Sequence, residues 1–311
     1  MNRLTRRFIL LAGLVALTCL GVTVWPTKSY NIYSSLADKH QRLAAVESPK
    51  IVFIGGSSLA LGLDSETVQS RIRRPVVNMG LNGGFGLRYI LDEVISSIGP
   101  GDVIAISPEY EHWTGTLLDG GLNMLWAIRA NPRSIFSLTS PNQYVVLIRN
   151  LPEFNQGKFM EILPGRYDPI YNRDAFNDYG DFVNHLNQPK SLHLGGVERI
   201  NTQAENPETA KVLQDFALLA ESRGATVVYS FPPLAETQFK FSDNQTAIAH
   251  IVEQLKTIPQ ITLIDHPADH IYPDTMFFDT VYHLNAEGRK LRSTKVATGL
   301  LKIVQRTTHT N

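Results

Sequence analysis

Two short segments carry residue types suited to nucleophilic chemistry on an acyl carbon. The first is Gly55-Gly56-Ser57-Ser58, directly after the apolar run Ile51-Val52-Phe53-Ile54. A serine there stands at the carboxyl end of a buried strand, on a tight turn that glycine permits. A helix start behind it offers backbone N–H groups to an anion. No Gly-Lys-Ser/Thr follows, so the turn is not a P-loop. The second segment runs from Phe277-Phe278-Asp279 through His283-Leu284-Asn285 to Gly288. It sets a histidine just before a helix start, with an acid four residues upstream. A serine nucleophile needs a base for its proton, and that base needs an acid to hold its tautomer. Ser57, His283 and Asp279 are therefore the candidate nucleophile, base and orienting acid. The plainer alternatives are a structural turn at Ser57 and a surface loop histidine beside a helix cap at His283.

Two further segments could complete such a site. Asn78-Met79-Gly80-Leu81-Asn82-Gly83-Gly84 places consecutive glycines at a strand end. Backbone N–H groups of Ser57 and Gly80, with the Asn82 side chain, could hold a developing oxyanion. A glycine-rich structural turn is the competing reading. Pro108-Glu109-Tyr110-Glu111-His112-Trp113 brings acids and aromatics to a strand end, suited to contacting sugar or to packing a loop. Gly56, Gly80, Asn82, Glu109 and Tyr110 are thus the candidate oxyanion and substrate contacts. Asp265-His266 and Asp269-His270 give a His-x3-His spacing, but Pro267 disfavours the helix that a metal site of this spacing needs. Neither a metal nor a cofactor is expected.

The elements that must position these residues alternate. Strands are expected at 51–54, 75–78, 103–106, 226–229 and 261–264. Helices are expected after Asp64, over 86–98, 208–222 and 247–255, and over 286–304 behind an Asn285 cap. Ile90, Leu91, Val94, Ile95 and Ile98 fall at helical spacing. Strand–helix alternation implies a parallel sheet with right-handed crossovers, and ligands in such sheets bind outside the carboxyl ends of the strands. Residues 55–58, 78–84 and 107–112 then share one rim. Residues 113–200, rich in Asn, Pro and aromatics such as Trp126, Tyr144, Phe154, Tyr167, Tyr171, Phe176 and Tyr179, read as an insertion with short helices that forms a lid or substrate wall.

The 311 residues balance 29 basic against 29 acidic side chains, which gives no basic face for nucleic acid. The single cysteine, Cys19, lies in the N-terminal apolar run, so the remainder has no disulfide or thiol chemistry. Arg3, Arg6 and Arg7 precede an uncharged stretch from Phe8 to Trp25, about the 17 to 25 residues a transmembrane helix needs. Basic residues stay cytoplasmic, so the bulk of the chain is expected in the periplasm or outside the cell, with Trp25 at the far interface. A cleaved signal peptide and a lipoprotein acylated at Cys19 are the alternatives. The expected layout is a basic tail at 1–7, an anchor at 8–25, a stalk at 26–49 and one α/β domain at 50–311.

The order strand–Gly-Gly-Ser, strand–Asn-x-Gly and a late Asp…His-Leu-Asn-x-x-Gly resembles the SGNH (GDSL-type) hydrolase superfamily. It is closest in pattern to membrane-anchored cell-envelope members, DltD-like and alginate-acetylation-like. The resemblance covers about 50–110 and 205–305. It implies a three-layer sandwich with a mostly parallel, flavodoxin-like central sheet, with Ser57 rather than Ser58 as nucleophile, Gly80 in the second block and His283 as the catalytic histidine. It further implies an esterase or O-acyltransferase acting on acyl groups of an envelope glycan or lipid, tethered to the bilayer beside envelope biosynthesis proteins. Two departures stand out. The family's acid three residues before the histidine is Thr280 here, and its third-block Asn is missing from Ser107-Pro108-Glu109-Tyr110. They motivate a second expectation, a non-catalytic binding or scaffold subunit of an envelope polysaccharide assembly.

Overall fold

A computed structural model describes residues 2–24, 30–115, 117–161, 168–197, 199–200 and 207–309. Trp25, Tyr167 and the start of the expected stalk lie outside the described residues. In chain order the elements are α1 (Arg3–Val24), α2 (Ser35–Ala45), β1 (Ile51–Gly55), α3 (Ser57–Gly62), α4 (Ser65–Ile72), β2 (Val76–Asn78), α5 (Leu87–Ile95) and β3 (Val103–Ser107). Then come α6 (Leu122–Ala130), α7 (Pro141–Glu161), α8 (Pro207–Ser222), β4 (Thr226–Tyr229), β5 (Leu234–Ala235), α9 (Glu236–Lys240) and α10 (Asn244–Lys256). β6 (Ile261–Leu263), β7 (Ile271–Tyr272) and α11 (Ala286–His309) complete the chain.

Five parallel strands form the central sheet in the order β2-β1-β3-β4-β6. Alternate residues of each strand face opposite layers, as the two-residue repeat of an extended chain requires. Val52, Ile54, Ile104, Ile106 and Val227 pack with the helices α5, α8 and α10. Ile51, Phe53, Val103, Ala105 and Val228 pack with Val68 of α4 and with Val296, Ala297 and Leu300 of α11. Both faces are covered, so the strands read as continuous apolar runs. The result is the expected α/β three-layer arrangement with a flavodoxin-like strand order. β5 and β7 form a separate short parallel pair that the sequence did not announce.

Local chemistry sets the helix starts. Asp64 accepts from the Thr67 N–H, and Asn285 Oδ1 accepts from Glu287 and Gly288. Within the segment read as a stalk, α2 instead lies on the domain: Leu36, Lys39 and Leu43 are buried. Lys39 Nζ donates to the backbone oxygens of Asn78 and Gly180. The insertion also departs from the expected short helices, because α7 runs 21 residues through Pro152. α1 is long and apolar enough to cross a membrane, and none of its apolar window is buried in the protein.

β1 feeds α3 and α4 towards β2, whereas β3 leaves β1 on its other side towards β4. The chain therefore departs in opposite directions from β1 and β3, the arrangement at which doubly wound sheets have their crevice, at the carboxyl ends of the strands. The loops at that switch point are 55–58 and 107–113.

Candidate active site

β1 ends on glycines for a reason of space. A Cβ at Gly55 would collide with the Ser107 carbonyl of β3, and one at Gly56 would collide with the Glu109 carboxylate. Gly56 has φ −94°, open to any residue, so close approach and not backbone freedom selects glycine here. Ser57 then opens α3 and is half-buried, whereas Ser58 is fully buried with an unpartnered hydroxyl. Behind the turn, the fully buried Arg292 of α11 donates to the Ser58 carbonyl at 2.7 Å and to Ser107 Oγ at 2.8 Å. Burial lowers its pKa to about 10, against the favourable charges of Tyr272, Asp265, Glu109 and Tyr110. Arg289 adds bonds to the Leu63 carbonyl and to Asp181. The start of α11 thus fixes α3 from behind.

Asp279 and His283 meet although they are four residues apart on a loop. The Phe278 N–H donates to the His283 carbonyl at 2.8 Å and closes a tight turn. Inside it, His283 Nδ1 lies 2.7 Å from Asp279 Oδ1. The second carboxylate oxygen accepts from the Tyr171 hydroxyl. Burial opposes ionisation of Asp279, but the His283 hydrogen bond and charge and the Tyr171 bond outweigh it, and its carboxyl titrates below the ordinary range. The loop is pinned on its outer side by Gly195, which exchanges backbone bonds with Asp279 and Val281. On its inner side, His185 lies against the Leu284 carbonyl at 3.0 Å, between the rings of Phe182 and Phe278. Burial lowers the His185 pKa to about 4, so this imidazole is neutral near pH 7.

The His283 loop is tied to the crevice at two points. The Tyr282 hydroxyl donates to the Glu111 carboxylate at 2.9 Å. Leu284 packs beside Gly62, at the end of the helix that Ser57 begins. Ser57 and the Asp279–His283 pair therefore belong to loops in contact with the same β3 exit. No hydrogen bond joins Ser57 to His283 among the described residues.

The remaining expected contacts divide. Gly80 does not offer a free donor: its N–H already bonds Asn78 Oδ1 at 2.9 Å, and its missing side chain lets the backbone pack on Leu59. Asn82 Oδ1 accepts from Gly84 and Asn123, and the residue is half-buried. Tyr110 is fully buried and packs the core, so it lines no open surface. Glu109 is 5% exposed. Its Oε1 accepts from the Ser58 N–H at 2.8 Å, and its buried Oε2 has no hydrogen-bond partner. Gly83 and the fully buried His112 adjoin the same carboxylate, and His112 lies 3.1 Å from the Gly83 carbonyl through Nε2. A carboxyl group therefore sits against the serine turn.

The Asp-His run at 265–270 is a structural network. The buried Asp265 accepts from Ser230 and from the Phe231 N–H and lies 2.8 Å from His270, while His266 and Asp269 cap a short helical turn. No cluster of three potential metal ligands occurs among the described residues. Tyr171, His185 and Arg292 are contacts that sequence reasoning did not assign to the site. The first two come from the insertion, and only the structure brings them to the His283 loop.

No family model matches the chain. No curated protein matches it either. Among solved structures, the protein YxiM of Bacillus subtilis superposes with a TM-score of 0.40 at 14% identity. The match covers 83% of this chain and 57% of the length of that one.

Proposed function

We propose that this chain is a membrane-anchored serine esterase or O-acyltransferase acting on acyl groups of a cell-envelope glycan or lipid. The observation that carries the reading is the 2.7 Å Asp279–His283 pair, on a loop bonded through Tyr282 to Glu111 in the segment that follows β3. In this reaction Ser57 Oγ attacks the acyl carbonyl, and His283 Nε2 takes its proton. Asp279 holds Nδ1–H and thereby fixes the tautomer that leaves Nε2 as acceptor. The Ser57 N–H and the Asn82 amide receive the oxyanion. Collapse returns the proton to the leaving alcohol and leaves an acyl-Ser57, which water or a sugar hydroxyl then takes over. The apolar α1 helix, with Arg3, Arg6 and Arg7 before it, supports a cytoplasmic N-terminus and a periplasmic or extracellular domain. A tether raises the effective concentration of membrane-proximal substrates.

Purified full chain in detergent should hydrolyse short-chain aryl esters. Ser57→Ala should lower kcat by at least about 10²-fold. Equal rates for the two proteins would remove the proposal.

One observation favours a second reading. The Glu109 carboxylate against the serine turn disfavours a negative intermediate there, as suits a non-catalytic glycan-binding subunit. That reading requires glycan binding that survives Ser57→Ala, with no ester turnover.

A further inference from the structure

Outside α1, exposed large apolar side chains concentrate on one stretch of the insertion. Phe136 is 88% exposed and Ile148 68%, and Tyr144, Val145 and Phe159 are exposed as well. At 3.6 residues per turn, Tyr144, Val145, Ile148, Pro152 and Phe159 fall within an arc of about 100° on α7. The adjoining face, with Gln143, Leu147, Phe154 and Lys158, is buried in the protein. Polar Arg149, Glu153 and Gln156 occupy the third side. This helix has a protein face, an aqueous edge and an apolar stripe.

The direction of the stripe is set by α1. Asn155 lies on the same arc and bonds the Cys19 carbonyl and the Thr23 hydroxyl. Lys158 donates to the Thr23 carbonyl, capping the end of α1 with a cation. The apolar side of α7 therefore meets the outer end of α1, the helix that among the described residues is long and apolar enough to cross a bilayer.

We infer that α7 and the Phe136 turn lie in the interfacial layer of the outer leaflet, with the Val145–Ile148–Phe159 stripe in the acyl region and Arg149 at headgroup level. The inference rests on the reading of α1 as a membrane anchor. Such a helix binds through its buried apolar area, helped by attraction of basic residues to anionic headgroups. α6 packs on α7, and Asn123 of α6 bonds Asn82 of the candidate oxyanion turn. The bilayer surface and the crevice are then separated by one helix, which holds the crevice mouth at a fixed height and admits substrates carried at that surface.

The test uses the full chain with Cys19→Ser, reconstituted in nanodiscs of phosphatidylethanolamine and phosphatidylglycerol. An environment-sensitive fluorophore is placed through Ile148→Cys, Phe159→Cys, Leu14→Cys in α1 or Glu253→Cys on the exposed side of α10. The inference expects iodide quenching at 148 and 159 to be several-fold weaker than at 253, and nitroxide-labelled lipid to quench 148 and 159 but not 253. If 148 and 159 behave like 253 while 14 is shielded, the interfacial helix is wrong and the anchor stands. If 14 is also open to iodide, both readings fail.

Discussion

At the scale of single residues the account turns on what surrounds three side chains. Asp279 is held by two donors, so removing one should weaken and not abolish its action. Tyr171→Phe should lower ester turnover less than about tenfold, whereas Asp279→Asn, which presents the wrong tautomer to His283, should lower it by about 10²–10⁴-fold with the fold retained. Equal effects of the two substitutions would contradict the assignment. Glu109 gives a prediction of opposite sign. Its carboxylate faces the Ser57 turn, so Glu109→Gln should raise the rate of ester hydrolysis, by about tenfold if the charge costs the transition state about 1.4 kcal/mol. A loss of rate would mean that the carboxylate itself takes part. His185 supplies a pH signature. Its folded pKa of about 4 lies below its ordinary value of 6.5, so its contribution to stability is complete above pH 6.5 and is lost as pH falls towards 4. Denaturant unfolding should register a loss of about 3 kcal/mol over that window, absent from His185→Gln. The types and spacing of Ser57, Asp279 and His283 were legible in the sequence because strand-end and pre-helix positions have local signals. Glu109 was legible as a rim residue but not as a charge beside the serine, and Tyr171 and His185 had no local signal at all. Gly80 was misassigned as a donor because a backbone N–H looks the same in sequence whether or not Asn78 already occupies it.

At the scale of elements, the strands and most helices followed from apolar runs and caps. Continuous Val/Ile runs become strands because both sheet faces are covered, and the Asp64 and Asn285 caps start the helices where expected. The packing of α2 on the domain is hard to read from sequence because its buried face includes Lys39, an unusual core residue whose charge hides the apolar spacing of Leu36 and Leu43. α7 is longer than the short helices expected of the insertion, although an internal proline such as Pro152 ordinarily breaks a helix. In the structure that proline lies on an exposed side of an uninterrupted helix. The layer between the sheet and α11 carries a measurable load. Leu300 has no exposed surface and sits against Ile51, Phe53 and Val103 in one apolar layer, so Leu300→Ala should cost about 2–5 kcal/mol, whereas Leu291→Ala on the outer side should cost less than about 0.5 kcal/mol. Similar losses at both positions by denaturant titration would place α11 differently.

At the scale of the whole molecule, the crevice between β1 and β3 gathers segments that are more than two hundred residues apart in sequence. Sheet topology does this, not local pattern: the switch point is where a doubly wound sheet opens, and the Ser57 turn, the Glu109–Trp113 loop and the His283 loop all adjoin it. The insertion is the part least readable from sequence, since its roles depend on α1 and the His283 loop, neither of them its neighbour in the chain. The proposed orientation has its own check. With Cys19→Ser, a cysteine introduced through Glu253→Cys should react with a membrane-impermeant maleimide in intact cells or with the outer membrane permeabilised. Labelling only after lysis of the inner membrane would reverse the topology. The central claim is that Ser57 is an activated nucleophile served by His283. Its most direct measurement is peptide mapping by mass spectrometry after treating the full chain with a fluorophosphonate. The account predicts a single adduct on Ser57, lost in Ser57→Ala and strongly slowed in His283→Ala. An adduct on another serine, or none at all on folded protein, would contradict it.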